Sequence, residues 1–292
     1  MITPFLQDGS IDFPALTKLT NYLIEGGVDY LVVQGTTGES PVLTKEEKNA
    51  VLKCVAEANN KRVPVVYGVG GNNTLAIAES LKAIDTTIVD GILSVSPYYN
   101  KPTQEGIYQH YKVLANSTPL PIILYNVPGR TASNVLPDTT LRLAKDFKNI
   151  VAVKEASGNM EQIMDIIQRK PEGFLVISGD DGITLPILAA GGDGVISVIG
   201  NAFPHIFSAM VKAAMQDNMN EARKLHYVLF PVVPLLFAEG NPGGIKEATA
   251  HLGLTTNTLR LPLVNVSEAT RSKIISLTSN IYKALPYDLM KK

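Results

Sequence analysis

A parallel α/β fold built from repeated strand–helix units is predicted by three features of the sequence. Short β-branched apolar runs recur along the chain, and the segments between them have apolar residues at helical spacing. The chain has 292 residues, of which 45% are hydrophobic, so it can fill the core of one large α/β domain. Strands that alternate with helices in this way form parallel sheets.

Seven apolar runs are typical of strands that are buried on both faces of a sheet. They are Tyr30–Val33, Val63–Tyr67, Gly91–Val95, Pro121–Tyr125, Ile150–Val153, Phe174–Ile177 and Gly194–Val198. Met1-Ile-Thr-Pro4 is an eighth candidate, a first strand that the start of the chain truncates. Eight such units in this length favour a (β/α)8 TIM barrel. The alternative is a doubly wound sheet, but Gly68-Val-Gly-Gly-Asn-Asn73 lacks the final glycine of a nucleotide-binding turn.

Helices are expected between the strands and again at the end of the chain. The expected helices are 44–59, 74–83, 104–116 and 159–169, followed by 204–216, 220–237, 243–252 and 267–284. Asn241-Pro-Gly-Gly244 breaks and caps the chain between two of the late helices. We therefore expect residues 1–217 to form the barrel with the active site and residues 218–292 to form a C-terminal helical appendix packed on it.

Composition excludes several classes of function. The 26 basic and 27 acidic residues nearly cancel, which argues against a nucleic-acid or membrane-surface partner. The single cysteine, Cys54, cannot form an intrachain disulfide. No apolar run is long enough to span a membrane, so a cytoplasmic protein is expected. The four histidines are scattered and predict no metal site, and Asp180-Asp181 is more typical of a turn or helix cap than of a Mg²⁺ site.

Lys154 is the residue that most directly suggests chemistry. It directly follows the apolar run Ile150–Val153, at the end of a predicted buried strand. A lysine is rarely buried in such a place without a partner. Burial disfavours a charged ammonium, and a desolvated lysine amine is the nucleophile that forms a Schiff base with a carbonyl substrate. The alternative is structural, with Lys154 capping its strand and pairing with a carboxylate such as that of Glu155.

Polar or glycine-rich segments follow the apolar runs, at the strand ends where barrel enzymes place their chemistry. Among their side chains are Thr36, Thr37, Tyr125, Arg130 and Lys154. An amine, a phenol, a guanidinium and hydroxyls suit a carbonyl substrate that carries carboxylates. The amine attacks the carbonyl, the phenol transfers protons and the guanidinium binds a carboxylate through two hydrogen bonds. Each segment alone is equally compatible with ordinary turn chemistry.

Five motifs, in this order along the chain, resemble the pyruvate-dependent class I aldolase/lyase family. They are Gly35-Thr-Thr-Gly-Glu-Ser40, Tyr98-Tyr-Asn100, Tyr125-Asn-Val-Pro-Gly-Arg-Thr131, Val153-Lys-Glu-Ala156 and Gly192-Asp-Gly-Val-Ile-Ser197. The closest resemblance is to the branch that condenses pyruvate with L-aspartate 4-semialdehyde in lysine and diaminopimelate biosynthesis. The resemblance implies a lyase that needs no cofactor or metal, because the Schiff base forms on Lys154 itself.

The resemblance also implies a role for each candidate site residue. Lys154 is the Schiff-base nucleophile, and Tyr125 carries protons in contact with Thr36 and Tyr99. Thr37 binds the pyruvate carboxylate, and Arg130 binds the carboxylate of the semialdehyde. The backbone carbonyls of Gly179 and Ile196 line the pocket. The residue matching Tyr99 reaches into a neighbouring subunit's site in the family, which implies a homo-oligomer, in particular a tetramer built as a dimer of dimers.

Two other functions remain open from the sequence. A sibling aldolase or lyase, such as N-acetylneuraminate lyase or a keto-deoxy sugar-acid aldolase, would share Lys154 and Tyr125 but usually lacks the arginine after the turn. A non-catalytic barrel would use none of this chemistry.

The resemblance also predicts how the protein responds to free lysine. The histidines and the glutamate that bind lysine in lysine-sensitive relatives are replaced here by Lys45, Lys48 and Ala76. Weak or absent inhibition is therefore expected.

Overall fold

The computed structural model describes residues 1–284, in which parallel strands and helices alternate along the chain. The strands are β1 (Leu31–Val33), β2 (Val65–Gly68), β3 (Gly91–Val95), β4 (Ile122–Asn126), β5 (Ile150–Glu155), β6 (Leu175–Ser178) and β7 (Gly194–Val195). The helices are α1 (Phe13–Glu25), α2 (Lys45–Asn59), α3 (Thr74–Lys82), α4 (Gln104–Ala115), α5 (Pro128–Thr131), α6 (Pro137–Asp146), α7 (Met160–Arg169), α8 (Thr184–Ala189), α9 (Pro204–Met215), α10 (Met219–Leu229), α11 (Val233–Phe237), α12 (Gly243–His251) and α13 (Glu268–Ala284). Each of the seven predicted apolar runs overlaps a strand, which confirms the α/β fold class.

The chain packs as two compact units. The first contains residues 1–64 and the chain from Ser197 onward, and the second contains residues 65–196. These limits differ from the predicted barrel of residues 1–217 and appendix of residues 218–292, and that predicted division stays a prediction. The last eight residues of the predicted appendix, 285–292, lie outside the described residues.

The second unit is a parallel sheet with helices between its strands. Each strand from β2 to β7 pairs with the next one along the chain, so the spatial order of the six strands follows the sequence. The strands have buried apolar cores, including Ile92, Ile122, Leu124, Val153 and Val176, each at most 1% exposed. Because parallel strands end at the same edge of a sheet, the residues that close β4, β5 and β6 become neighbours.

A register shift divides the pairing of β4 with β5. Ile122 lies opposite Ile150, but the next residue, Ile123, lies opposite Ala152, so β5 contains one extra residue at Val151. Such a bulge changes which residues face each other along the rest of the two strands. Beyond it, Tyr125 lies opposite Lys154 and Asn126 lies opposite Glu155.

The first unit is mainly helical and contains the start of the chain. Met1–Pro4 does not form the expected strand, and the nearest pairing is an isolated bridge between Phe5 and Ile11. Side-chain and single backbone contacts hold this segment instead. The backbone N–H of Ile2 donates to Asn201 Oδ1 at 2.9 Å, and the Thr3 hydroxyl donates to the Gly38 carbonyl at 2.7 Å. The described residues thus contain seven strands, and the eighth strand of the predicted barrel is not among them.

Helices alone follow β7 in the described part of the chain, but one of them differs from the prediction. The expected helix 220–237 is two helices, α10 and α11, separated at Pro231. Proline lacks the N–H needed for a helical hydrogen bond, and its ring clashes with the carbonyl four residues earlier. None of the helices within residues 1–284 combines the length and apolar composition of a membrane-spanning segment.

Candidate active site

Lys154 and Tyr125 lie side by side near the ends of two adjacent strands. Their Cα atoms are partners in the β4–β5 ladder, and the Lys154 Nζ atom is 4.2 Å from the centre of the Tyr125 ring. Both side chains are buried, with 8% of Lys154 and 7% of Tyr125 exposed. The structure therefore brings the predicted nucleophile into contact with the predicted proton carrier, in a place largely withdrawn from water.

Lys154 does not pair with Glu155, which contradicts the structural alternative in that form. Neighbouring strand residues point to opposite faces of a sheet, and Glu155 faces away from Lys154. Its carboxylate accepts hydrogen bonds from Asn126 Nδ2, Gln162 Nε2 and the Ser157 hydroxyl, at 2.8, 3.0 and 2.7 Å. None of the ion pairs among residues 1–284 includes Lys154.

Burial raises the pKa of the Glu155 carboxyl above its usual value, while the hydrogen bonds from Asn126, Ser157 and Gln162 act in the opposite direction. The Glu155 side chain is fully buried. A buried carboxylate is stable only when its oxygens are hydrogen-bonded, and here both oxygens are. Glu155 is thus a saturated acceptor on the far face of the strand that holds Lys154.

Gly179 lies directly beside Lys154, at the end of β6. Its backbone N–H donates to the Glu155 carbonyl at 2.6 Å, and a Cβ atom at this position would be 3.0 Å from Lys154 Cε and 2.7 Å from Ala156 Cβ. The position therefore has no room for a side chain. Ile196 follows β7 and donates its N–H to the Ser178 carbonyl, and its own side chain is buried.

Arg130 and Tyr99 are on exposed segments of the same unit. Arg130 lies in the single helical turn α5, which follows β4, and its side chain is exposed. Tyr99 is 84% exposed, and its backbone N–H donates to the Thr131 carbonyl at 3.3 Å. The backbones that carry the two residues are thus in direct contact. The neighbouring Tyr98, which we expect from the sequence to belong to an ordinary aromatic patch at an interface, is 40% exposed.

Thr36 and Thr37 lie in the first unit, in the 3-10 turn Thr36–Gly38 that follows β1. The Thr37 hydroxyl oxygen accepts a hydrogen bond from Asn241 Nδ2 at 3.0 Å. A hydroxyl that already accepts from one side keeps its own hydrogen available for an acceptor such as a carboxylate. Asn241 is buried and lies in the predicted Asn241–Gly244 break before α12.

An ion pair holds the residue that follows this turn. Glu39 has left-handed backbone angles (φ 54°, ψ 34°), and its carboxylate lies 2.5 Å from Lys246 Nζ on α12. Both side chains are fully buried. Lys246 Nζ also donates to the Thr258 carbonyl, and Glu39 accepts from the Arg260 N–H. Burial lowers the pKa of Lys246 to about 8, although Glu39 acts to raise it.

Sequence reasoning assigned no role to Glu39, Lys246 and Asn126, and it considered Glu155 only as a partner of Lys154. These four residues support the candidate residues rather than replace them. For Asn126 and Glu155 a signal was present, because each follows a candidate residue at the end of an apolar strand and must face the other way. For Lys246 the only signal is a lysine within a small-residue helix, and nothing local identifies Glu39 as its partner.

The pair Asp180–Asp181 behaves as a turn, as expected. The Asp180 carboxylate accepts from the Gly182 N–H at 2.9 Å and caps the short 3-10 helix Asp181–Ile183. Within residues 1–284, no three His, Cys, Asp or Glu side chains are grouped in a way that could hold a metal ion.

Comparison with known proteins identifies the family. Residues 1–281 match the model of the dihydrodipicolinate synthetase family. The chain is 54% identical, over 97% of both chains, to 4-hydroxy-tetrahydrodipicolinate synthase of Flavobacterium psychrophilum, and 54% identical to that of Parabacteroides distasonis over 94% of this chain and 92% of the relative. Its structure resembles dihydrodipicolinate synthase of Thermotoga maritima with a TM-score of 0.94, at 40% identity over 97% and 96% of the two chains. The synthase of Acinetobacter baumannii, solved with pyruvate, has a TM-score of 0.94 at 38% identity over 97% of both chains. The chain belongs to the dihydrodipicolinate synthetase family.

Proposed function

We propose that this protein is a lyase that condenses pyruvate with L-aspartate 4-semialdehyde to give 4-hydroxy-tetrahydrodipicolinate, for lysine and diaminopimelate biosynthesis. The observation that carries the proposal is the buried Lys154 amine, 4.2 Å from the Tyr125 ring and engaged in no ion pair within the described chain. The relatives named above support this reading, since they are 4-hydroxy-tetrahydrodipicolinate synthases. They do not favour a sugar-acid aldolase.

In the proposed reaction Lys154 Nζ attacks the ketone carbon of pyruvate, and water leaves as the Schiff base forms. Loss of a methyl proton gives an enamine, whose carbon attacks the aldehyde of the second substrate. The amino group of that substrate then displaces Lys154 and closes the ring, which frees the enzyme. In the net reaction, one pyruvate and one L-aspartate 4-semialdehyde give one molecule of the cyclic product and one molecule of water.

The other candidate residues have the roles that the family resemblance implies. Tyr125, with Thr36 and Tyr99, would carry protons to and from the reacting atoms. Thr37 would bind the pyruvate carboxylate through the hydroxyl that Asn241 orients. Arg130 would bind the carboxylate of the semialdehyde, for which its planar guanidinium is suited. The carbonyls of Gly179 and Ile196 would line the pocket, and no cofactor beyond the covalent Lys154 adduct is required.

We also propose that the protein acts in the cytoplasm as a homo-oligomer, specifically a tetramer built as a dimer of dimers. The support is Tyr99, a large aromatic residue that is 84% exposed in one copy of the chain. Tyrosine is enriched in protein–protein interfaces, so the exposure of this side chain is consistent with coverage by a second subunit. Analytical ultracentrifugation at micromolar concentration should give the mass of a tetramer, and a monomer would contradict this part of the proposal.

Borohydride reduction in the presence of pyruvate tests the Schiff base. Intact-mass spectrometry should show one pyruvate adduct, absent from Lys154→Ala and retained by Lys148→Ala, an exposed lysine just before the same strand. An adduct that survives Lys154→Ala would reject the mechanism. Turnover with aspartate semialdehyde and a coupled reductase then tests the second substrate, and a preference for a polyhydroxylated aldehyde would favour the sibling aldolases instead.

A further inference from the structure

Behind Lys154 and Tyr125, on the opposite face of β4 and β5, a buried polar network connects these strands to the segment that carries Arg130. Its members are Gln104, Asn126, Asn134, Glu155 and Gln162. Glu155 and Asn126 are fully buried, and each directly follows one of the two candidate catalytic residues in the sequence. Because neighbouring strand residues alternate in direction, these two side chains point away from Lys154 and Tyr125.

Asn126 closes the loop that contains Arg130. Its side-chain carbonyl accepts from the Val135 N–H at 3.0 Å, and its side-chain nitrogen lies 3.4 Å from the Val135 carbonyl. The amide therefore pairs with the backbone of Val135 on both sides and joins the two ends of the loop. Arg130 lies within this closed loop, in the turn Pro128–Thr131.

Glu155 fixes which way the Asn126 amide faces. Since Asn126 Oδ1 is engaged with the Val135 N–H, its nitrogen must find acceptors, which are Glu155 Oε1 at 2.8 Å and Asn134 Oδ1 at 2.8 Å. Glu155 Oε1 also accepts from Gln162 Nε2 at 3.0 Å. The Oε1 atom of Glu155 thus accepts from both amide nitrogens, so it holds the NH2 groups of Asn126 and Gln162 towards Glu155.

Asn134 fastens the far end of the loop to two helices. Its side-chain nitrogen donates to Gln162 Oε1 on α7 at 2.8 Å, and its backbone carbonyl accepts from Gln104 Nε2 on α4 at 2.7 Å. In the loop itself, the Thr131 hydroxyl donates to the Ser133 carbonyl at 2.7 Å. The side chain of Arg130 is exposed, but the backbone beneath it is thus held at both ends.

We infer that Glu155, through Asn126 and Asn134, is a positioning residue that holds the Arg130 loop in place for the carboxylate of the aldehyde substrate. The inference rests on the proposed function and assigns Glu155 to the second substrate rather than to Schiff-base formation. An exposed arginine on an unrestrained loop would lose conformational freedom when it binds a carboxylate, which weakens binding. A loop fixed in advance avoids that cost.

Asn134→Ala is the main test, because it removes the side-chain hydrogen bonds from the loop to the Asn126 and Gln162 amides without touching either strand, while the bond from the Val135 N–H to Asn126 remains. We expect KM for L-aspartate 4-semialdehyde to rise about fivefold, as for loss of a hydrogen bond between neutral groups, because the Asn134 side chain bonds to the amides of Asn126 and Gln162. KM for pyruvate and the rate of borohydride trapping should stay within about twofold of wild type. Asn149→Ala is the matched control, because Asn149 makes a comparable clamp before the other end of β5, to the Ala115 and Thr118 carbonyls at 2.9 and 3.0 Å.

Two substitutions of Glu155 separate positioning from simple packing. Glutamine keeps an oxygen for Asn126 and Gln162 if its nitrogen faces the Ser157 hydroxyl, which can turn to accept, and it loses only the weaker 3.3 Å bond from the Ser157 backbone N–H. The bonds that lead to the Arg130 loop are thus kept, so Glu155→Gln should keep a KM for the semialdehyde closer to that of wild type than Glu155→Ala does. Glu155→Ala should raise it as Asn134→Ala does. If Glu155→Ala does not fold, Asn134→Ala decides the question alone.

The failures of the two ideas are distinguishable. If the wild-type protein traps pyruvate and uses the semialdehyde, but Asn134→Ala leaves KM for the semialdehyde unchanged, the positioning role is wrong and the proposed function stands. An equal rise in both KM values, or the same rise in Asn149→Ala, also overturns the positioning role. If the wild-type protein traps no pyruvate, the proposed function fails and the inference fails with it.

Discussion

Glu39 and Lys246 form an ion pair in which both side chains are fully buried, and replacing Lys246 by methionine measures what the pair contributes. Methionine keeps most of the apolar stem of lysine and removes the charge. The substitution leaves the buried Glu39 carboxylate without the ammonium that it pairs with and removes the donor to the Thr258 carbonyl. Breaking a buried pair by removing one partner typically costs about 3–5 kcal/mol.

This cost converts into a change in melting temperature. For chains of this size class, 1 kcal/mol shifts Tm by roughly 2–4 °C, so Lys246→Met should lower Tm by about 6–20 °C. Lys224→Met is the control, because Lys224 pairs with Glu221 on the surface, with 76% and 47% of the side chains exposed. Exposed pairs contribute little, so this variant should melt close to wild type.

A double-mutant cycle then isolates the interaction. Glu39→Gln alone leaves Lys246 without its carboxylate, and the two changes together leave no unpaired charge. The double variant should therefore be more stable than the sum of the two single effects predicts, by at least about 1 kcal/mol. Additive effects, or a Tm of Lys246→Met within about 2 °C of wild type, would refute the reasoning. Because Glu39 follows the turn Thr36–Gly38, we also expect KM for pyruvate to rise in Lys246→Met.

Three further predictions concern other parts of the chain. Burial lowers the pKa of His110 from 6.5 to about 4, so the unfolded chain takes up a proton first as the pH falls. The stabilisation from neutral His110 is present above pH 6.5 and is lost towards pH 4, by roughly 3 kcal/mol. Between pH 7 and pH 4.5 the free energy of unfolding in urea should therefore fall more for wild type than for His110→Gln. Gly179→Ala should slow borohydride trapping at least about tenfold, because the added Cβ would press on Lys154 Cε; an unchanged rate would show that the neighbouring strands adjust freely. Free lysine should inhibit weakly or not at all, because Lys45 and Lys48 would repel its ammonium, and half-inhibition by submillimolar lysine would contradict this.

The strands could be predicted because each is an apolar run that must be buried on both faces of a parallel sheet. Short or mixed elements could not. The helices Phe13–Glu25, Pro137–Asp146 and Thr184–Ala189 were not predicted, and the helix expected over 220–237 is divided by Pro231. The segment Met1–Pro4 does not form the expected strand, because single hydrogen bonds to distant backbone and side-chain groups hold it instead, and local sequence does not reveal these.

The candidate site was predictable to the extent that neighbouring strands place their ends together. Lys154 and Tyr125 end consecutive apolar runs, so their contact follows from a parallel sheet in which strand order follows the sequence. Their supporting residues depend on long-range pairs instead. Nothing near Glu39 in the sequence indicates that Lys246 would pair with it. The roles of Asn126 and Glu155 depend on side-chain amides from two other segments, those of Asn134 and Gln162.

The extra residue at Val151 sets the register of β5 against β4 for every residue that follows it. If the bulge were absent and all residues of β5 paired in unbroken register, Tyr125 would lie opposite Val153, and Lys154 would point to the face where Asn126 now meets Glu155. A one-residue insertion between Val151 and Lys154, with one residue still bulged, would exchange the amine for a valine beside the phenol in the same way, although no candidate catalytic residue would have changed. Deletion of Val151, in contrast, removes the extra residue and keeps Tyr125 opposite Lys154. Insertions in this short stretch should consequently be far less tolerated than deletion of Val151 or substitutions there, and a deep mutational scan that includes all three kinds of change would reveal the difference.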